Sequence, residues 1–211
     1  MRSVLLASLG LLVATAMCSA QSQTHEYRAE VIITLPRIRG FGLLMVMDQR
    51  LAMSDLTQDE INIGSGIISP QFHRMSAAFE ARQVKTVSGS VEHRYIPTFY
   101  FNLPLPGGFE VRDRNRFEMR DIAGTWSQRY INRTAIGHTI GVLDWTTFPF
   151  VQSDAYYDVK SSRFNRLDGT VGTRTPLFPG SSIDTFLTRS SDQGKTPRVG
   201  ITLGALLRVQ L

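Results

Sequence analysis

Along the segment RNRFEMR, from Arg114 to Arg120, charged and apolar side chains alternate with a period of two. A β-strand sends successive side chains to opposite faces, so Arg114, Arg116, Glu118 and Arg120 share one face while Phe117 and Met119 hold the other. Arg112 extends the charged face toward the start of the strand. The same period recurs on the preceding segments. Arg74, Ser76, Ala78, Glu80 and Arg82 oppose Met75, Ala77, Phe79 and Ala81, and after Ser88-Gly89 the residues Glu92, Arg94, Thr98, Tyr100 and Asn102 oppose Val91, Tyr95, Phe99, Phe101 and Leu103. Downstream, Arg129 and Arg133 share a face, as do Asp154 and Asp158, and then Arg166, Asp168 and Arg174.

Turn-forming Gly, Pro, Asn, Asp and Ser recur at intervals of about 8 to 16 residues, the spacing of an all-β chain. The pattern predicts a first strand at His25 to Leu35 and a second at Gly40 to Ala52. A third, Glu60 to Ser69, carries Gly64 and Gly66 on one face, which makes room for large neighbours across a lumen or permits strong coiling. Strands at 72–84, 91–103, 109–122, 126–136, 142–159, 163–177, 183–189 and 198–211 complete a count of eleven. Bacterial single-chain barrels have even numbers, so ten to twelve strands are expected. Twelve is preferred, with a short strand within 137–147. Asp113 and Asn115 share parity with Phe117, on the apolar face, and are placed at the barrel rim, where a charge costs little.

Composition narrows the class. Met1 to Ala20 reads as a secretory signal, with Arg2 before the apolar run Val4 to Ala16 and small residues at Cys18-Ser19-Ala20. One domain, residues 21–211, would follow. Cleavage removes the single cysteine, so no disulfide or thiolate metal site is expected. Beyond it the longest unbroken apolar stretch is Phe41 to Met47, too short for a spanning helix, so insertion into a membrane would require a closed barrel. The formal charge is +5, and only Lys85, Lys160 and Lys195 of the 23 basic residues are not arginine. Arginine pairs bidentately with carboxylates in confined places. Its alternation with apolar residues, without basic clusters, argues against nucleic acid as a partner.

Asp154 with Asp158 or Glu118 could form a hydrolytic carboxylate pair, but arginines of like facing hold each as a structural counterion. His25, His73, His93 and His138 have no metal-ligand spacing, and no serine stands in a nucleophile elbow. The expectation is therefore a non-enzyme with no cofactor and no metal. Trp126, Trp145, Tyr95, Phe99 and Tyr157 fit interfacial aromatic girdles.

At RNRFEMR, SQRYINR (Ser127 to Arg133), PFVQSDAYYD (Pro149 to Asp158) and RFNRLDGTVG (Arg163 to Gly172), the chain resembles DUF2490, a bacterial family of exported proteins of unknown function. The resemblance covers residues about 88 to 211 and implies an outer-membrane-like barrel with an interior arginine and carboxylate lattice, without an assigned activity. The family usually has glutamate where Asp154 stands. In the last strand Thr202, Gly204, Leu207 and Val209 look like the C-terminal signal read by the barrel-assembly machinery, with Leu211 in place of the usual terminal aromatic.

The combined expectation is an all-β, single antiparallel up-and-down transmembrane barrel in the bacterial outer membrane. Its lumen would be lined by Arg74, Glu80, Arg82, Glu92, Arg94, Arg112, Arg114, Arg116, Glu118, Arg120, Arg129, Arg133, Asp154, Asp158, Arg166 and Arg174. The expected partners are outer-membrane lipid and, during biogenesis, the assembly machinery; a monomer is expected, with a structural role or a narrow pore. The alternatives are a periplasmic or secreted ligand-binding barrel and a lipid-modifying outer-membrane enzyme. Parity alone assigns two faces without saying which of them is inside.

Overall fold

The computed structural model describes residues 23–211 except 55, 57, 87, 143–144 and 194–198. The expected signal segment, the turn expected at Gly194 to Pro197 and the side chain of Trp145 lie outside the described residues. The strands are β1 Gln23–Thr34, β2 Gly42–Ala52, β3 Gln58–Ile68, β4 Met75–Thr86, β5 Val91–Pro104, β6 Phe109–Ile122, β7 Thr125–His138, β8 Ile140–Val142, β9 Trp145–Asp158, β10 Arg163–Pro176, β11 Ser181–Asp192 and β12 Val199–Gln210. A short 3-10 turn, Pro106–Gly108, links β5 to β6.

Neighbouring strands pair antiparallel in sequence order, and β1 closes the wall against β12. The stretch 137–147 does hold a short strand, yet β8 extends β7 and adds no stave. Its pairs Ile140↔Thr147 and Val142↔Trp145 continue, in unchanged register, the ladder β7 makes with β9 from Arg129↔Asp158 to Gly137↔Phe150. Eleven staves therefore form the barrel. An odd number of alternating strands leaves the first and last running the same way, and β1 pairs with β12 in parallel from Gln23↔Val199 to Thr34↔Gln210. Antiparallel pairing holds at every other junction.

Following the hydrogen bonds once around the wall returns to β1 about 14 residues away, which for these strands gives a tilt of about 40° and a backbone radius of about 11 Å. Twelve residues at that tilt span about 30 Å, enough for an apolar band of about 25 Å. No connection between staves exceeds the seven residues 35–41. The shortest, between β6 and β7, uses Ala123 at φ 50° and Gly124 at φ 84°, the paired positive φ values of a type I′ hairpin. Asp121 Oδ1 accepts the Gly124 N–H at 2.8 Å and fixes that turn.

The pleat sorts the side chains. Leu43, Met45, Met47, Ile63, Ile67, Phe79, Phe99, Val151, Leu167 and Leu203 are exposed on the outer face. The inner face is charged in most layers, but Val84, Ile96, Leu44, Val46, Ile131 and Leu206 are buried there too, so the interior is mixed. Gly64 and Gly66 do face inward. What fills their space is the adjacent strand, not the far wall: a Cβ on Gly64 would stand 2.5 Å from Arg82 Cγ, and one on Gly66 2.4 Å from the Phe79 carbonyl oxygen. Aromatic rings use other glycines in the same way, Phe148 over Gly137, Phe150 over Gly172 and Phe186 over Gly204.

Candidate functional site: an ion-paired barrel interior

The central layer of the barrel is built from acid and arginine pairs two residues apart on one strand face, each pair then joined to a neighbouring strand. On β1, Arg28 Nη2 donates to Glu30 at 3.1 Å, and its Nε and Nη2 grip Asp48 of β2 at 2.8 and 2.9 Å. On β4, Arg82 donates to Glu80 at 2.5 and 2.9 Å. On β5, Arg94 donates to Glu92 at 2.8 and 3.1 Å, and Arg120 of β6 joins the same carboxylate. Arg166 grips Asp168 on β10 at 2.7 and 2.8 Å, with Tyr156 Oη donating to the same carboxylate at 3.1 Å. Bidentate geometry of this kind is what the planar guanidinium provides and lysine does not.

Glu118 sits where RNRFEMR meets its neighbour. Arg116 Nε lies 3.1 Å from it on the same strand, and Arg129 of β7 donates at 2.8 and 3.2 Å. Of the arginines that share its face on β6, Arg116 pairs with it, while the register assigns Arg120 to Glu92 and Arg114 to Asp154. Asp154 on β9 accepts Arg133 Nε at 2.5 Å and Gln152 Nε2 at 2.7 Å, and Arg114 reaches it from β6 at 3.9 Å, past the intervening β7. Nearer one end, Asp184 of β11 gathers Arg174 at 2.6 and 2.8 Å and Arg208 of β12 at 3.0 Å. Arg112 pairs with Glu110 and lies 4.4 Å from the Phe148 ring centroid, while Arg129 and Arg166 flank Tyr156 at 5.5 and 4.9 Å.

These clusters communicate across the lumen. Glu30 on β1 lies within electrostatic reach of Arg82 on β4 and Arg133 on β7, and Glu110 on β6 within reach of Arg174 on β10. Asp48, Glu118 and Asp154 are each 2% exposed, and Asp184 3%, although they point into the centre of the barrel. The arginines that cover those carboxylates are more open, with side-chain exposures of 22% for Arg114, 26% for Arg133 and 37% for Arg208.

Two residues of the expected lining stand elsewhere. Arg74 is exposed in the turn between β3 and β4, because β4 begins only at Met75. Asp158 ends β9, where its carboxylate accepts the Ser161 N–H at 2.7 Å and hydroxyl at 2.8 Å, so it holds a turn. Residues absent from the expected lining but present in the lattice are Arg28, Glu30, Asp48, Glu110, Asp168, Asp184 and Arg208. Among the expected girdle aromatics, Trp126 stacks with Tyr95 at 6.2 Å, and Tyr157 meets Phe164 edge-on at 5.2 Å, all toward the end that carries the β6–β7 turn. Phe99 lies instead at mid-strand on the outer face.

The rim placement of Asp113 and Asn115 also fails. Both lie on the outer face of β6 well inside the strand, beside Asn132 and Thr134 of β7. Asp113 accepts Asn132 Nδ2 at 3.0 Å, Thr134 Oγ1 at 2.8 Å and the side-chain amide of Asn115, whose own Oδ1 accepts Asn132 Nδ2 at 3.1 Å and the hydroxyl of Tyr130. A basic residue on the lipid face at mid-depth costs about 2–4 kcal/mol and an acid less, and the local donors offset part of that cost.

No family model and no curated protein matches the chain. Two solved structures do. One is a bacterial polysaccharide outer-membrane secretin, with 8% identity and a TM-score of 0.50 over 81% of this chain and 63% of that one. The other is the β domain of the Bordetella autotransporter BrkA, with 10% identity and a TM-score of 0.53 over 81% of this chain and 82% of that one. The chain thus spans less than two thirds of the secretin chain. At such identities the likeness shows the fold alone, an outer-membrane-type β-barrel.

Proposed function

We propose that the protein is a bacterial outer-membrane barrel whose interior is sealed by its own arginine and carboxylate lattice, so that it serves as a structural barrel or at most a narrow pore. The observation that carries the reading is the pairing of an exposed apolar outer face with carboxylates that are almost fully buried inside. A soluble ligand-binding barrel would bury the apolar face and solvate the charged one. Among the described residues no helix is long and apolar enough to cross a membrane, so crossing falls to the strands.

The same lattice supports a non-catalytic role. Glu118, Asp154, Asp168 and Asp184 are each held by at least one arginine, which leaves none of them free as a general base. His25, His93 and His138 point outward and His73 lies in a turn, away from those acids. Export by way of the segment 1–20, biogenesis through the barrel-assembly machinery and kinship with DUF2490 belong to this proposal. The mature protein is expected to stay in the membrane pellet after a carbonate wash and to change gel mobility on boiling. Release into the aqueous fraction with no mobility shift would remove the membrane reading.

A further inference from the structure

We propose that the outer face of β6, β7 and β9 is the contact between two copies of this chain lying side by side in the membrane, an inference that rests on the membrane reading above. Elsewhere the middle of the outer belt is mostly apolar, with Met45 and Met47 on β2, Ile63 and Ile67 on β3 and Phe79 on β4, and the polar members Ser65 on β3 and Thr185 and Arg189 on β11 do not pair with one another across strands. The β6–β9 face interrupts it. From the strand registers, Asn115, Asn132 and Ser153 lie within about 2 Å of the barrel's mid-height, and Asp113 about 6 Å from it. An ionisable group with its polar neighbours at that depth is rarely turned to lipid; it faces protein. Among the described residues, no connection between staves is long enough to cover it.

The patch is complementary to itself. Copies inserted in the same orientation are related by a twofold axis along the membrane normal, so each residue meets groups of the second copy at its own height. With the axis passing β7, Asn132 meets Asn132 of the second copy and Thr134 meets Thr134, groups that both donate and accept. On either side β6 faces the second copy's β9, and Asn115 and Ser153 differ in height by only about 1 Å. Asp113, held by Asn132 and Thr134, falls on opposite flanks in the two copies, so the like charges stand apart. Ser153 and Ala155 keep the β9 side small and allow close approach of the two walls.

The test uses the full chain, exported in cells and probed in isolated membranes with a membrane-permeant bismaleimide. Asn132→Cys and Thr134→Cys are expected to give a product of twice the chain mass. Ser65→Cys, on the outer face of β3 near the same height, and the parent chain are expected to give none. The unsubstituted protein, extracted in mild detergent and sized by light scattering, is expected to hold two chains per particle. One chain per particle, equal cross-linking at residue 65, or a product of another mass, marking a different partner, would each overturn the dimer. If the barrel stays in the carbonate-washed pellet with a boiling shift and remains uncrosslinked, the dimer alone is wrong. If it washes out, the membrane reading has failed and the dimer with it.

Discussion

Glu118→Leu is expected to cost the barrel about 3–5 kcal/mol, because removing one member of a confined ion pair leaves its partners as uncompensated buried charges. Arg116 at 3.1 Å and Arg129 at 2.8 Å would both lose their counterion, and Arg94 lies within electrostatic reach of the same carboxylate. Glu110→Leu is the control. It also breaks an arginine pair on β6, but the Glu110 side chain is 28% exposed, so water replaces the contact and the loss stays below about 1 kcal/mol. Urea unfolding of the protein refolded into lipid vesicles reads both. Equal losses would place Glu118 in open water and dissolve the packed lattice.

A second large effect falls on the closure strand. Gly204 sits opposite Phe186 on β11 and beside Arg28 on β1, and a Cβ there would stand 2.3 Å from Phe186 Cζ. Gly204→Leu therefore has to expel the ring, an overpacking cost of about 1–3 kcal/mol, while Phe186→Ala leaves a cavity worth about 3–5 kcal/mol. Together the two changes are expected to lose less than their sum, with about 1–3 kcal/mol of coupling, because the leucine occupies the volume the ring vacates. Refolding in vitro, without assembly machinery, is the setting that separates packing from recognition. Additive losses there would return Gly204 to the role its place in the C-terminal pattern suggested, a residue read during assembly.

Much of the lattice was legible as a spacing. An acid and an arginine two residues apart on a strand must share a face, and Glu80 with Arg82, Glu92 with Arg94 and Arg116 with Glu118 follow from that rule. Arg28 with Glu30 and Arg166 with Asp168 obey it as well, so Arg28, Glu30 and Asp168 were within its reach. The cross-strand members were not. Asp48, Asp184 and Arg208 join the lattice only through the pairings of β1 with β2, β10 with β11 and β11 with β12, which the sequence leaves open wherever the turn is longer than a tight hairpin.

The outer polar patch divides the same way. Parity put Asp113 and Asn115 on the apolar face, and the cost of that position moved them to the rim. The two-residue turn at Ala123-Gly124 fixes the β6–β7 register, and with it Asn115 opposite Asn132. That hairpin alone would have brought the two amides together far from either end. The odd number of staves has no local signature, since it depends on how the first and last strands meet and on an interruption at Thr139 that leaves the β7–β9 register intact.

Planar-bilayer recording of the refolded protein tests the sealed interior most directly. A backbone radius of about 11 Å, lined by arginines that reach about 7 Å from their Cα atoms and by the acids and aromatics that meet them, leaves little room for a path. The unsubstituted barrel is expected to show no steps, or small ones that favour anions, since the interior arginines outnumber the carboxylates. The double variant Arg116→Ala with Arg133→Ala, which clears two long side chains from the central layer, is expected to show discrete openings under the same conditions. Large, cation-selective steps from the unsubstituted protein would contradict both the packing of the lattice and its assignment to the lumen.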